Sequence, residues 1–158
     1  DSDDLWEKNK LNYQINFMKK NNVSFSHTSY TIINSIGKKI GSRKVEKNLS
    51  HENLLKSCDI GLSSVVLKKD ILKKNYFPNI TTKEDFVLWL KLSKKNKIVG
   101  INKELTRWRK LNTSLSSNTI QKLLDGFRVY NRYMKFNYIK SLYYLLILSL
   151  NFLKKDKL

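Results

Sequence analysis

Two acidic pairs and one basic run carry the residues of the chain most suited to chemistry. Asp1 and Asp3 flank a single serine in the opening stretch DSDDLW, with Asp4 and Glu7 close behind. At the end of a strand, a D-x-D pair places two carboxylates around one divalent cation, or one on the cation and one on a sugar hydroxyl. Mg2+ and Mn2+ favour such oxygen ligands and commonly carry substrate phosphates as well. The same acids also suit a helix start, so capping stands as the alternative. Glu84-Asp85 opens an apolar segment, KEDFVLWLKL. A carboxylate in a helix's first turn is held ionised and can accept a hydroxyl proton. Successive helical residues diverge by about 100°, so only one of the two faces a cavity. Capping is again the alternative. The run Arg107-Trp108-Arg109-Lys110 leads to Asn112, Ser114 and Ser116. Arg grips phosphate bidentately, and Ser and Asn complete a diphosphate or sugar network. A solvated basic loop would look the same. His27 and His51 have no metal-binding spacing and read as surface or structural residues.

These residues must be placed by a folded scaffold. The chain has 158 residues, the length of one ordinary domain, with 41% hydrophobic content and six Gly plus Pro, which argues against global disorder. The single Cys58 excludes an internal disulfide framework. Lys and Arg number 31 against 13 acids, giving a net charge of +18. That charge points to an anionic partner, or to a generally Lys-rich composition with solvated lysines. No RNP-like, KH-like or zinc-finger spacing is present, so nucleic acid is disfavoured as a partner.

Periodicity predicts a helix over residues 5–22, capped by Asp3 or Asp4 and burying Leu5, Leu11, Ile15 and Met18. It predicts a strand over 23–33, a loop with short extended pieces to residue 49, and a short helix from Ser50 to Ser57. A buried strand over 64–67 follows, with a turn or helix near Asp70. A further helix starts after Thr81 or Thr82; Thr82 with Asp85 resembles a capping box. Residues 97–110 read as strand, turn and strand. Two helices follow Asn118. The apolar core of the last, Leu142 to Leu153, is about 12 residues or roughly 18 Å of helix, too short for a bilayer of about 30 Å. With Lys140 before it and Lys154, Lys155 and Lys157 after it, this helix suits either an anionic membrane surface or packing against a protein.

Taken in order, DSDDLWEKNKLNYQINFM, LLKSCDIGLSSVVLKKDIL and TTKEDFVLWLKLSKKNKIVGINKELTRWRKLNTSLSSN resemble the second half of a family 2 inverting glycosyltransferase with the GT-A fold. The resemblance covers residues 1–118 and implies an α/β fold: a partial GT-A-like mixed sheet with flanking helices. Residues 119–158 then form a helical, membrane-associated extension. By the same resemblance, Asp3 is the principal ligand of Mg2+ or Mn2+ on the nucleotide-sugar diphosphate, and Asp1 its partner nearer the ribose or metal. Asp85 is the catalytic base, with Glu84 as neighbour. Arg109 faces the diphosphate, and Ser114 belongs to the donor network. The implied reaction transfers one sugar, with inversion, from a nucleotide sugar to a glycan or lipid-linked acceptor. The expected location is cytoplasmic, at the inner face of the cell membrane. Leu111 stands where many relatives have His, and the processive pattern Q-x-x-R-W is absent. Relatives carry a nucleotide-binding βαβ region before D-x-D, so the sequence reads as starting within an enzyme and leaving an unpaired sheet edge. The rival expectation is a non-catalytic basic domain that binds an anionic membrane or partner protein.

Overall fold

A computed structural model describes residues 2–45, 47–73, 75–111 and 118–156. The strands are β1 (Leu5–Trp6), β2 (Phe25–Ile33), β3 (Lys39–Arg43), β4 (Asn48–Leu49), β5 (Val66–Leu67) and β6 (Ile98–Arg109). The helices are α1 (Lys10–Lys20), α2 (His51–Lys56), α3 (Lys69–Leu72), α4 (Glu84–Ser93), α5 (Thr119–Arg128) and α6 (Tyr138–Asp156). A 3-10 turn spans Leu62–Ser64, and a π-helical turn, Val129–Tyr133, follows α5.

The sheet is mixed, as the resemblance implies. Its centre is the parallel pair β2 and β6, which runs from Phe25 opposite Ile98 to Ile33 opposite Arg109. The remaining pairs are antiparallel. β1 and β4 bind the outer edge of β6 near its two ends, and β3 and β5 bind the outer edge of β2. The expected open edge is therefore partly paired by short strands.

Three local expectations fail for physical reasons. The first is the cap at Asp3 or Asp4. Residues 5 and 6 pair with Thr106 and Arg107 of β6, so the helix starts only at Lys10, after Asn9. That shift turns Lys10, Gln14 and Met18 inward and leaves Leu5 and Leu11 exposed. The second is the turn in residues 97–110. β6 is continuous and absorbs its surplus residues as register shifts opposite Thr28–Tyr30. Asn102, within this strand, accepts a hydrogen bond from Ser29 Oγ (3.0 Å). The third is the Thr82 cap. Lys83 holds the position before α4 with φ +67°, and no side chain caps the helix.

α4 packs Phe86 through Leu90 and Leu92 into the core. Trp89 meets Phe25 edge to face at 5.0 Å. The C-terminal helices join the same cluster through Val129, Tyr130, Met134 and Leu148. Tyr130 Oη donates to the Leu55 carbonyl (2.7 Å), and Asn151 Nδ2 to that of Lys56 (3.0 Å).

Candidate active site

The end of β6 gathers the first group of predicted residues. The Asp4 carboxylate accepts from the Arg109 backbone amide (2.8 Å) and from the Ser63 hydroxyl. Arg109 Nε donates to the Asp3 carbonyl (3.0 Å). Its Nη1 donates to the carbonyls of Asn34 (3.0 Å) and Ser35 (2.8 Å). The guanidinium thus ties the acidic segment to the β2–β3 hairpin. The sequence places Arg109 beside the diphosphate; the structure uses its fork on three backbone oxygens. Asp1 and Ser114 lie outside the described residues.

This arrangement separates the two acids. Asp4 is committed to Ser63 and the Arg109 amide. Asp3 is partly buried, and its carboxylate accepts no hydrogen bond among the described residues. A free carboxylate on a fixed backbone is a fitting oxygen donor for Mg2+ or Mn2+. Among the described residues, no cluster of three or more His, Cys, Asp or Glu forms a ready-made metal cage. Mg2+ commonly takes only one or two protein carboxylates, with substrate phosphates completing its shell.

Next to Asp4 is a cavity of about 520 Å3 lined by Asp4, Trp6, Leu62 and Ser63. Trp6 is 53% exposed, although it belongs to a strand. Lys10 Nζ lies 4.0 Å from the centre of its ring. Lys10 is fully buried and its amine has no hydrogen-bond partner; burial lowers its pKa to about 8. Sequence reasoning missed this pair because a helix over residues 5–22 makes Trp6 part of an apolar face and leaves Lys10 as one more solvated lysine.

The second predicted group occupies the first turn of α4. Asp85 is partly buried, and its Oδ1 accepts from the Phe86 amide (2.6 Å). Burial raises its pKa to about 6; the Phe86 amide opposes this, Glu84 adds to it and Lys83 opposes it. The loop before α4 is anchored from outside. Asp125 on α5 accepts from the Thr82 amide and hydroxyl, both at 3.0 Å, and also from Gln121 and Arg128. Burial works against the Asp125 carboxylate, but these bonds prevail and hold its pKa below the ordinary range.

The turn starting at Gly61 packs beside Tyr30. A Cβ at Gly61 would lie 3.1 Å from the Tyr30 ring, a close approach that glycine permits. Tyr30 meets Trp108 edge to face at 6.5 Å. Burial pushes the Tyr30 phenol up; Arg43 opposes this, while Cys58, Asp59 and Asp85 add to it. Tyr30 is thus within electrostatic reach of Asp85 and also beside the turn whose Ser63 binds Asp4. His27 is buried with neither ring nitrogen partnered, and desolvation, opposed by Asp59, lowers its pKa to about 4. His51 is structural: its Nδ1 lies 2.7 Å from Ser93 Oγ.

No family model matches the chain. It is 39% identical over 151 residues to the Escherichia coli UDP-Glc:alpha-D-GlcNAc-diphosphoundecaprenol beta-1,3-glucosyltransferase WfgD, covering 92% of this chain and 57% of that protein. The chain belongs with the family 2-like glycosyltransferases. It is also 30% identical over 157 residues to Bacillus subtilis TuaG, a glycosyltransferase named for teichuronic acid biosynthesis, covering 98% of this chain and 62% of TuaG. The chain therefore spans roughly three-fifths of the length of these relatives. The fold matches residues 1–349 of Staphylococcus aureus TarS, solved with UDP-GlcNAc, with a TM-score of 0.61 and 16% identity, covering 92% of this chain and 45% of that one.

Proposed function

We propose that this glycosyltransferase moves one sugar from a nucleotide-sugar donor to a hydroxyl of a lipid-linked glycan acceptor, with inversion, at the inner face of the cell membrane. The observation that carries the reading is the desolvated Asp85 at the head of α4, supported by an unengaged Asp3 whose backbone carbonyl is held by Arg109. Asp3, with Asp1, is the residue to hold Mg2+ or Mn2+. When bound, the cation neutralises charge gathering on the departing diphosphate. Asp85 accepts the proton of the attacking hydroxyl while the acceptor oxygen bonds to the anomeric carbon. The bond from that carbon to the diphosphate oxygen breaks with its electron pair, and the nucleoside diphosphate leaves. A carboxylate with a pKa near 6 is ionised at neutral pH and is more basic than an exposed Asp. Ser114 supports the donor, Arg109 supports it by holding the backbone of Asp3, and Glu84 tunes its neighbour.

UDP-glucose and a GlcNAc-diphospholipid, the substrate classes in the WfgD name, are the first pair to try. Transfer should require added Mg2+ or Mn2+ and should fall by roughly 10²-fold or more in Asp85→Asn. Unchanged turnover in that variant would remove the base assignment. Relatives named as glycosyltransferases match across more than nine-tenths of the chain, which disfavours the rival reading of a non-catalytic basic domain.

A further inference from the structure

α6 is apolar on two opposite sides. Its inward side carries Leu148, Ser141 and Tyr144, packed against Tyr130 and Phe136. Its outward side carries Ile139, Leu142, Tyr143, Leu146, Leu150 and Leu153, all exposed, with Ile139 at 81%. At 100° per residue these six fall within an arc of about 100°, centred roughly opposite Leu148. Water should meet a polar stripe at that place. α5 has the same character. Its buried Asp125 turns toward Thr82, while Ile120, Leu123 and Leu124 are exposed. The helices pack side by side: a Cβ at Gly126 would come within 2.8 Å of Leu145 Cδ1, and Lys122 Nζ lies 5.4 Å from the Phe152 ring. The exposed stripes of both helices thus point away from the body, forming a two-helix apolar surface.

Charge identifies what meets that surface. Residues 119–158 contain eight Lys and Arg and two Asp. One of those acids, Asp125, is buried and paired with Arg128. Lys140 and Lys154 are exposed beside the stripe on α6. No helix among the described residues is long and apolar enough to cross a membrane. An apolar strip bordered by lysines, in a helix that cannot span, fits a surface that is apolar within and anionic at its boundary.

We infer that the outward face of α5 and α6 is a docking surface for an anionic lipid bilayer, on which α6 lies parallel to the membrane plane. This inference stands independently of the sugar-transfer reading, because it needs none of the acidic site residues. The test is co-sedimentation of the full chain with vesicles of phosphatidylethanolamine and phosphatidylglycerol, compared with phosphatidylcholine alone. Partition into the anionic vesicles should be about tenfold stronger and should weaken with salt. Leu146→Glu combined with Leu150→Glu should reduce it at least about tenfold while helicity by circular dichroism is retained. If that variant misfolds, Leu146→Trp replaces it: the emission it adds to the wild-type spectrum should shift to the blue on anionic vesicles and be quenched by brominated lipid. The inference is overturned if the wild type stays in the supernatant or the double-Glu variant binds equally well. It is also overturned if that variant only dissolves an oligomer, or if the emission added by Leu146→Trp ignores vesicles.

Discussion

Replacing Asp85 by Asn should weaken the chemistry and strengthen the fold. In the folded chain the carboxyl titrates near 6, against 3.8 for an unperturbed Asp, a difference of about two units whose first cause is burial. At about 1.4 kcal/mol per unit, the folded state carries a cost of up to roughly 3 kcal/mol once the group is ionised. The sign follows from proton binding. The folded state holds this proton more tightly than the unfolded state, so stability falls as pH rises from about 4 to about 6 and is level above that. Asn has no charge to desolvate, and its carbonyl oxygen can still accept from the Phe86 amide. The variant should therefore be about 1–3 kcal/mol more stable than wild type at pH 7.5, with the gain shrinking toward zero at pH 4. Urea unfolding of both chains at the two pH values reads this directly through the midpoint at constant slope. Transfer should fall by about 10²–10⁴-fold in the same variant. An equal gain at both pH values, or a loss at pH 7.5, would refute the claim that Asp85 is held ionised at a cost.

Asp3→Asn should abolish most of the response to Mg2+ or Mn2+ in a transfer assay while leaving the unfolding midpoint within about 0.5 kcal/mol of wild type, since that carboxylate supports no hydrogen bond of the fold. Arg109→Lys should cost about 1–2 kcal/mol in urea unfolding, because an ammonium cannot reproduce the fork that joins Asp3, Asn34 and Ser35. Asp125→Ala leaves the buried Thr82 amide unsatisfied and should cost roughly 3 kcal/mol at neutral pH. As the folded pKa of Asp125 is depressed, its contribution is present above about pH 4 and is lost as pH falls through the folded value, so wild type and variant should converge in acid. Trp6→Ala should raise the donor KM about tenfold with a smaller change in kcat, and Trp6→Phe should recover most of it, because the exposed ring borders the cavity beside Asp4.

Much of this architecture could be read from periodicity. The caps at Ser50 and Ser57, the strand through Phe25–Ile33 and the buried Phe86–Leu92 face need only local pattern and local partners. The opening segment resisted for a different reason. Asp3 and Asp4 have the composition of a helix start, but β6 offers residues 5 and 6 a strand partner a hundred positions away. Local propensity is a weak prior against such pairing. The same non-local effect turned Lys10 and Gln14 inward. Gln14 finds Ser26 Oγ and the Ser64 carbonyl there, contacts no pattern along α1 announces. At the candidate site, residue types made Asp3, Asp85 and Arg109 conspicuous. Ser63 and Asp125 were invisible, because a serine in a turn and an aspartate in a late helix acquire meaning only through the partners that folding brings to them.

The two hydrogen bonds from Thr82 to Asp125 bear on how this chain can be shortened or shuffled. A cut near Asn118 looks natural on the sequence, at the point where a catalytic body gives way to a tail. Such a cut would remove the acceptor for a buried amide one residue before the Lys83 turn. It would also strip Tyr130 from the core beside Phe86. The residues after Asn118 are therefore inherited with the acid at the head of α4, and recombination that exchanges one without the other has to repair both the loop and the core.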